Sequence, residues 1–173
     1  FAAVATAVKL PIMLYNIPGR CGVEIAIPTI RRLFEQHENI VAVKHATGRV
    51  DDAAELISTC GIEVLSGDDP ITLPLMSLGA IGVVSVISNL APVATRRVTT
   101  AMLAGDLRAG REAHATLYPL MRGLLALDTN PVPIKTAMAL RGWCAEELRL
   151  PMCPLSPENR ARLEALLAAH PLD

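Results

Sequence analysis

Lys44 closes the run Ile40-Val41-Ala42-Val43-Lys44 and leads into the small-residue turn His45-Ala46-Thr47-Gly48. No residue before the lysine is suited to water, so the run reads as a buried parallel strand with the amine at its emerging end. Partial desolvation there disfavours an ammonium and frees the amine to attack a carbonyl. The plainer reading is a lysine that marks the strand end and reaches solvent. Tyr15 ends a second apolar run, Ile12-Met13-Leu14-Tyr15. It is either a core aromatic whose hydroxyl finds one partner or, beside an amine, a proton carrier. Arg20, in Gly19-Arg20-Cys21-Gly22, is either a surface arginine or an unobstructed fork for a carboxylate. Ser66-Gly67 and Val84-Ser85 are small-residue segments at two further strand ends. Together these positions place a phenol, an amine and small turns at the carboxyl ends of successive strands.

Other reactive side chains carry less. Asp68 and Asp69 read as a helix cap before a metal pair, since no further ligands stand nearby. His45 projects from the opposite side of an extended chain to Lys44, which puts it behind the site or at an interface. His37, His114 and His170 fall in helical or terminal polar contexts. Cys21 lies near the proposed site without a base partner. The cysteines Cys21, Cys60, Cys144 and Cys153 have neither zinc-ligand nor disulfide-framework spacing, so a reducing cytoplasm is the expected compartment. No metal is expected.

The elements that must position these residues alternate. After a helical stretch up to Val8, the strand at Ile12 ends in the turn signals Asn16, Pro18 and Gly19, and a helix runs from Pro28 to about Gln36. The Lys44 strand precedes a helix to whose start Asp51 and Asp52 offer a cap and favourable charge, and which stops near Gly61. Ile62 to Leu65 form a third strand, followed by a short helix through Leu73, Leu75 and Met76. A fourth strand is expected over Ile81 to Val86, then a helix from Pro92 to Leu103. From Gly105 the alternation stops, and helices are expected from Asp106 to Leu127, Pro131 to Arg141, and after the cap Ser156. Tyr15, Lys44, Ser66 and Ser85 are separated by 29, 22 and 19 positions. Those periods fit β-α units with a parallel sheet.

The chain has 173 residues, 51% hydrophobic and 19% charged, with net charge −1 and a mean hydropathy of +0.39. No apolar run approaches the roughly 18 residues of a membrane span. With 3% aromatics and no basic block, nucleic acid is not an expected partner. The surplus apolar surface points to contact with other protein. No signal peptide is expected, and a first residue that is Phe1 instead of methionine hints at a missing beginning.

Four β-α units would leave raw sheet edges. A closed (β/α)8 TIM barrel takes about 250 residues and keeps its site at the carboxyl ends of the strands. The expected fold is therefore α/β: the second half of such a barrel over residues 1–104, then a helical region over 105–173. An open doubly wound sheet would want a glycine-rich phosphate turn, and neither G-x-G-x-x-G nor a P-loop is present.

Four stretches then stand out in order: Leu14-Tyr15-Asn16-Ile17-Pro18-Gly19-Arg20-Cys21-Gly22, Val43-Lys44-His45-Ala46-Thr47-Gly48, Leu65-Ser66-Gly67-Asp68-Asp69 and Gly82-Val83-Val84-Ser85-Val86. With Asn130-Pro131-Val132-Pro133-Ile134-Lys135 and the segment from Leu148 to Leu155, they closely resemble the dihydrodipicolinate synthase family of pyruvate-dependent Schiff-base aldolases. The resemblance implies condensation of pyruvate with L-aspartate 4-semialdehyde, giving 4-hydroxy-tetrahydrodipicolinate in the diaminopimelate route to lysine. It implies Lys44 as the imine-forming residue, Tyr15 as proton relay, Arg20 for the semialdehyde carboxylate, and Val84 and Gly67 lining the substrate pocket. No cofactor is implied, and a homo-oligomer, dimer or tetramer, is. His45 and Cys21 stand where many relatives carry glutamate and threonine. The resemblance covers only the later part of such an enzyme, so the chain reads as a piece of a longer one. The alternatives are an aldolase of N-acetylneuraminate lyase or keto-deoxy-sugar type, and a non-catalytic fragment that only assembles.

Overall fold

Short apolar runs rich in branched residues become the strands Ile12–Asn16 (β1), Ile40–His45 (β2), Glu63–Ser66 (β3) and Gly82–Val83 (β4). They pair in parallel, in the order β1-β2-β3-β4. The sequential order without reversal is that of a barrel wall; a doubly wound sheet would turn back at a switch point. The computed structural model describes residues 1–171, and the chain divides into two compact units, Phe1–Val84 and the residues from Ser85 onward. The last two residues of the helical region expected over 105–173 lie outside the described residues.

In the first unit the helix Ala2–Ala7 (α1) precedes β1, and the strands are joined by the helices Pro18–Cys21 (α2), Ile27–Gln36 (α3), Val50–Glu55 (α4) and Thr72–Ser77 (α5). One face of the sheet buries Leu14, Val43 and Val64 almost completely. The side chains of Ile30 and Leu33 from α3, and of Ala53 and Leu56, are buried in the same unit. The opposite face carries Met13, Tyr15, Lys44 and Leu65, all more accessible. This is the alternation a strand imposes.

Two expectations need correction here. Asp51 and Asp52 do not cap α4: Arg49 occupies the cap position, and both carboxylates lie in the first turn, where they complement the helix dipole. Asp52 instead pairs with Arg49. The helix also widens into a π turn over Leu56–Cys60 before the left-handed Gly61 ends it. The fourth strand, expected over Ile81 to Val86, is confined to Gly82–Val83. Ile81 and Val84 still donate backbone hydrogen bonds to Val64 and Ser66 of β3, at 2.9 and 2.8 Å. Beyond them Val86 is already helical in φ and ψ, and the Ser88 N–H donates to Ser85 Oγ at 2.9 Å. That hydroxyl offers the backbone a turn in place of the ladder.

The second unit is helical: Pro92–Leu103 (α6), Leu107–Leu125 (α7), Val132–Leu140 (α8) and Pro157–Ala169 (α9). Prolines open α6 and α9, Asp106 caps α7 and Ser156 caps α9, through Ala109 N and Asn159 N. Leu120, Leu124, Ala137, Leu163 and Leu167 belong to its buried core. Arg160 of α9 donates from Nη1 to both Glu146 carboxylate oxygens at 2.8 and 2.7 Å, and Thr136 adds a bond of 2.9 Å.

Candidate functional site

A single row crosses the sheet: Tyr15 opposes Lys44, Lys44 opposes Leu65, and Leu65 opposes Gly82. The row depends on an irregularity between Ile12 and Met13. Ile12 pairs with Ile40, yet Met13 pairs with Ala42, so β2 contributes one residue more than β1. Continued without that slip, the register from Ile12 would set Tyr15 against Val43. A one-residue shift exchanges the faces of a strand, so the slip is what brings phenol and amine to the same side.

The Lys44 Nζ lies over the Tyr15 ring, 4.0 Å from its centroid. Tyr15 is 44% exposed and Lys44 is half-buried. The lysine stem runs against Gly67, in the turn that follows β3. The Gly67 N–H donates to the His45 carbonyl at 2.8 Å, and the Ser66 hydroxyl donates to the Asp68 carbonyl at the same distance. Val84 follows β4, tied to Ser66 by its backbone and 36% exposed. Tyr15, Lys44 and Gly67 are thus in direct contact or adjoining, and Val84 is bonded to Ser66, the last residue of the strand before Gly67.

Arg20 lies on a separate element, the exposed four-residue helix α2. Pro18 at its first turn and the left-handed Gly22 after its end are the sequence signals of a short helix, though the segment reads as a turn from composition. The buried Asn16 clamps the segment: its amide donates to the Ile25 carbonyl at 3.0 Å and its oxygen accepts from Ile25 N–H at 2.9 Å. Asn16 therefore fixes the loop carrying Arg20 to the end of β1, a role its identity as a turn residue does not reveal.

His45, fully buried behind Lys44, fastens the next turn. Its Nε2 lies 2.8 Å from the Arg49 carbonyl and 2.9 Å from the Thr47 hydroxyl, which also accepts from Arg49 N–H at 3.1 Å. Arg49 in turn bridges Asp52 and Glu24; the hydrogen bonds it donates to Asp52 first and Glu24 second raise its guanidinium above the ordinary arginine value. Asp68 stands at the cap position of the short 3₁₀ turn Asp69–Ile71 that leads into α5. Among the described residues, no three histidines, cysteines or carboxylates converge as a metal site, and the four cysteines are free thiols. No helix there is long and apolar enough to cross a membrane.

An amine against a phenol ring, at the ends of adjacent parallel strands and with small residues around it, can capture a carbonyl compound and exchange protons with it. Residues 1–170 match the model of the dihydrodipicolinate synthetase family. The 4-hydroxy-tetrahydrodipicolinate synthase of Geobacter sulfurreducens is 45% identical over 99% of this chain and 59% of its own length. The solved synthase of the methanotroph Methylacidiphilum fumariolicum SolV superposes with a TM-score of 0.94 at 48% identity, over 97% of this chain and 56% of that one. A chloride-inhibited dihydrodipicolinate synthase from Acinetobacter baumannii, solved in complex with pyruvate, gives 0.94 at 37% identity, over 99% and 59%. The chain thus spans less than two thirds of the relatives it matches, and in fold it is part of a barrel followed by helices.

Proposed function

The chain belongs to the dihydrodipicolinate synthetase family, and from that premise we propose that the full-length protein condenses pyruvate with L-aspartate 4-semialdehyde through a Schiff base on Lys44. The neutral amine adds to the keto carbon of pyruvate and water leaves, giving an iminium. Loss of a methyl proton turns the iminium into an enamine, whose carbon attacks the aldehyde. The semialdehyde's own amino group then adds to the imine carbon and expels the lysine amine, closing the ring and releasing the product, 4-hydroxy-tetrahydrodipicolinate. The iminium itself is the electron sink, so no cofactor or metal enters the proposal.

The Tyr15 hydroxyl carries protons to and from the adduct. The planar fork of Arg20 pairs with the semialdehyde's carboxylate. The backbone carbonyl of Val84 and the turn at Gly67 line the pyruvate side. Residues 1–104 supply the C-terminal half of the barrel and 105–173 its helical region, in a cytoplasmic homo-oligomer, dimer or tetramer. The observation that carries this reading is the Lys44 amine seated 4.0 Å over the Tyr15 ring, on one row of adjacent parallel strands. The pyruvate complex of the Acinetobacter relative supports the choice of keto acid.

The test is acceptor choice by the full-length protein. Pyruvate consumption should depend on the semialdehyde and proceed far more slowly with sugar aldehydes. Preference for N-acetylmannosamine or a sugar aldehyde would move the protein to another branch of the same aldolases.

A further inference from the structure

We infer that Gly67 is a positioning residue for Lys44: lacking a Cβ, it leaves open the lane along which the lysine stem runs toward the Tyr15 ring. The inference rests on the reading of Lys44 as the imine-forming residue.

Two properties separate Gly67 from a turn glycine. First, it is not among the glycines with φ in the left-handed region, such as Gly48 and Gly61, so its backbone does not call for glycine. Second, the space around it does. A Cβ built on Gly67 would lie 2.6 Å from Ala46 Cβ, 3.0 Å from the His45 carbonyl oxygen and 3.1 Å from Lys44 Cγ. The glycine is pinned in that place, since its N–H donates to the His45 carbonyl. All three obstructed groups belong to consecutive residues of the strand end that presents the amine. An added methyl therefore presses on the lysine stem and on the backbone that carries it. The Cγ is three bonds from Nζ, so a displacement there is passed on to the nitrogen.

The experiment uses three variants of the full-length protein, Gly67→Ala, Ala46→Gly and the double variant. Each is assayed for thermal midpoint and for the rate of borohydride trapping of pyruvate at Lys44. Gly67→Ala should lower both. Adding Ala46→Gly removes the worst clash, so the double variant should regain most of the thermal midpoint. Its trapping rate should stay about tenfold below the parent, because Lys44 Cγ is still crowded and reactions of this kind are steep in geometry. Ala46→Gly alone should trap near the parent rate. A double variant that traps as fast as the parent would show that Gly67 serves packing against Ala46 only, and would overturn the inference while leaving Lys44 in its role. A parent that gives no adduct would instead sink the Lys44 reading.

Discussion

Tyr15 and Lys44 face one another across the β1–β2 register, and the lysine nitrogen sits over the tyrosine's ring instead of at its hydroxyl. A cation on an aromatic face gains about 0.5–1 kcal/mol at exposed sites. The ring therefore holds the nitrogen while the hydroxyl, at the ring's edge, is left for another partner. The two functions of one side chain can be taken apart.

Tyr15→Phe does so. It keeps the face under Lys44 and removes only the hydroxyl, so the thermal midpoint should hardly move. Turnover should fall by roughly 10²–10⁴, the usual worth of a positioned proton carrier. Steady-state rates and melts on the same preparation decide it; undiminished turnover would remove Tyr15 from proton transfer.

Arg20→Ala should act on the second substrate alone. The semialdehyde KM should rise while the rate of imine formation with pyruvate stays near the parent value. Losing a charge-assisted hydrogen bond to a carboxylate corresponds to about 1.5–3 kcal/mol. Equal damage to both steps would contradict the role given to its guanidinium.

Asn16→Leu should loosen the segment that carries Arg20. The buried amide makes two bonds to the Ile25 backbone, and the substitution leaves that N–H and carbonyl unpaired. A loss of about 1–3 kcal/mol in denaturant stability is expected, with faster amide exchange at Ile25. Protection at Ile25 equal to the parent's would mean that the loop is held elsewhere.

The helical unit has its own acid sensitivity. The Arg160 hydrogen bond, aided by Thr136 and opposed by burial, holds the Glu146 carboxyl below the usual carboxylate range. A depressed folded-state value stabilises the fold above the unfolded value and is lost as pH falls through the folded one. Arg160→Gln should therefore lower stability at neutral pH and flatten its decline on acidification. Denaturant midpoints measured from neutral pH into the acid range should converge for the two proteins; parallel curves would refute the linkage.

What sequence alone discloses follows from how local each cause is. The run before Lys44 is apolar from Ile40 to Val43, and β2 occupies it. α6 begins at Pro92 and ends at Leu103 as the proline and periodicity require. The short helix at Arg20 is missed because Pro18 and Gly19 signal a turn and a helix start alike. β4 stops early because the Ser85 hydroxyl captures a backbone N–H, a competition that an apolar run conceals. The alignment of Tyr15 with Lys44 is less legible still. Both lie at strand ends, but the slip at Ile12 and Met13 that puts them in one row arises only when the strands pair. The same holds for Gly67 against Lys44, and for Arg49, whose partners Glu24 and Asp52 meet it only in the folded chain.

The most direct measurement is to incubate the full-length protein with pyruvate, reduce with borohydride, and locate the added carboxyethyl group by peptide mass. One group on the peptide containing Lys44, absent when Lys44 is replaced by alanine, is the expected result. A modified lysine elsewhere, or an unmodified Lys44 in a protein that still condenses its substrates, would contradict the account.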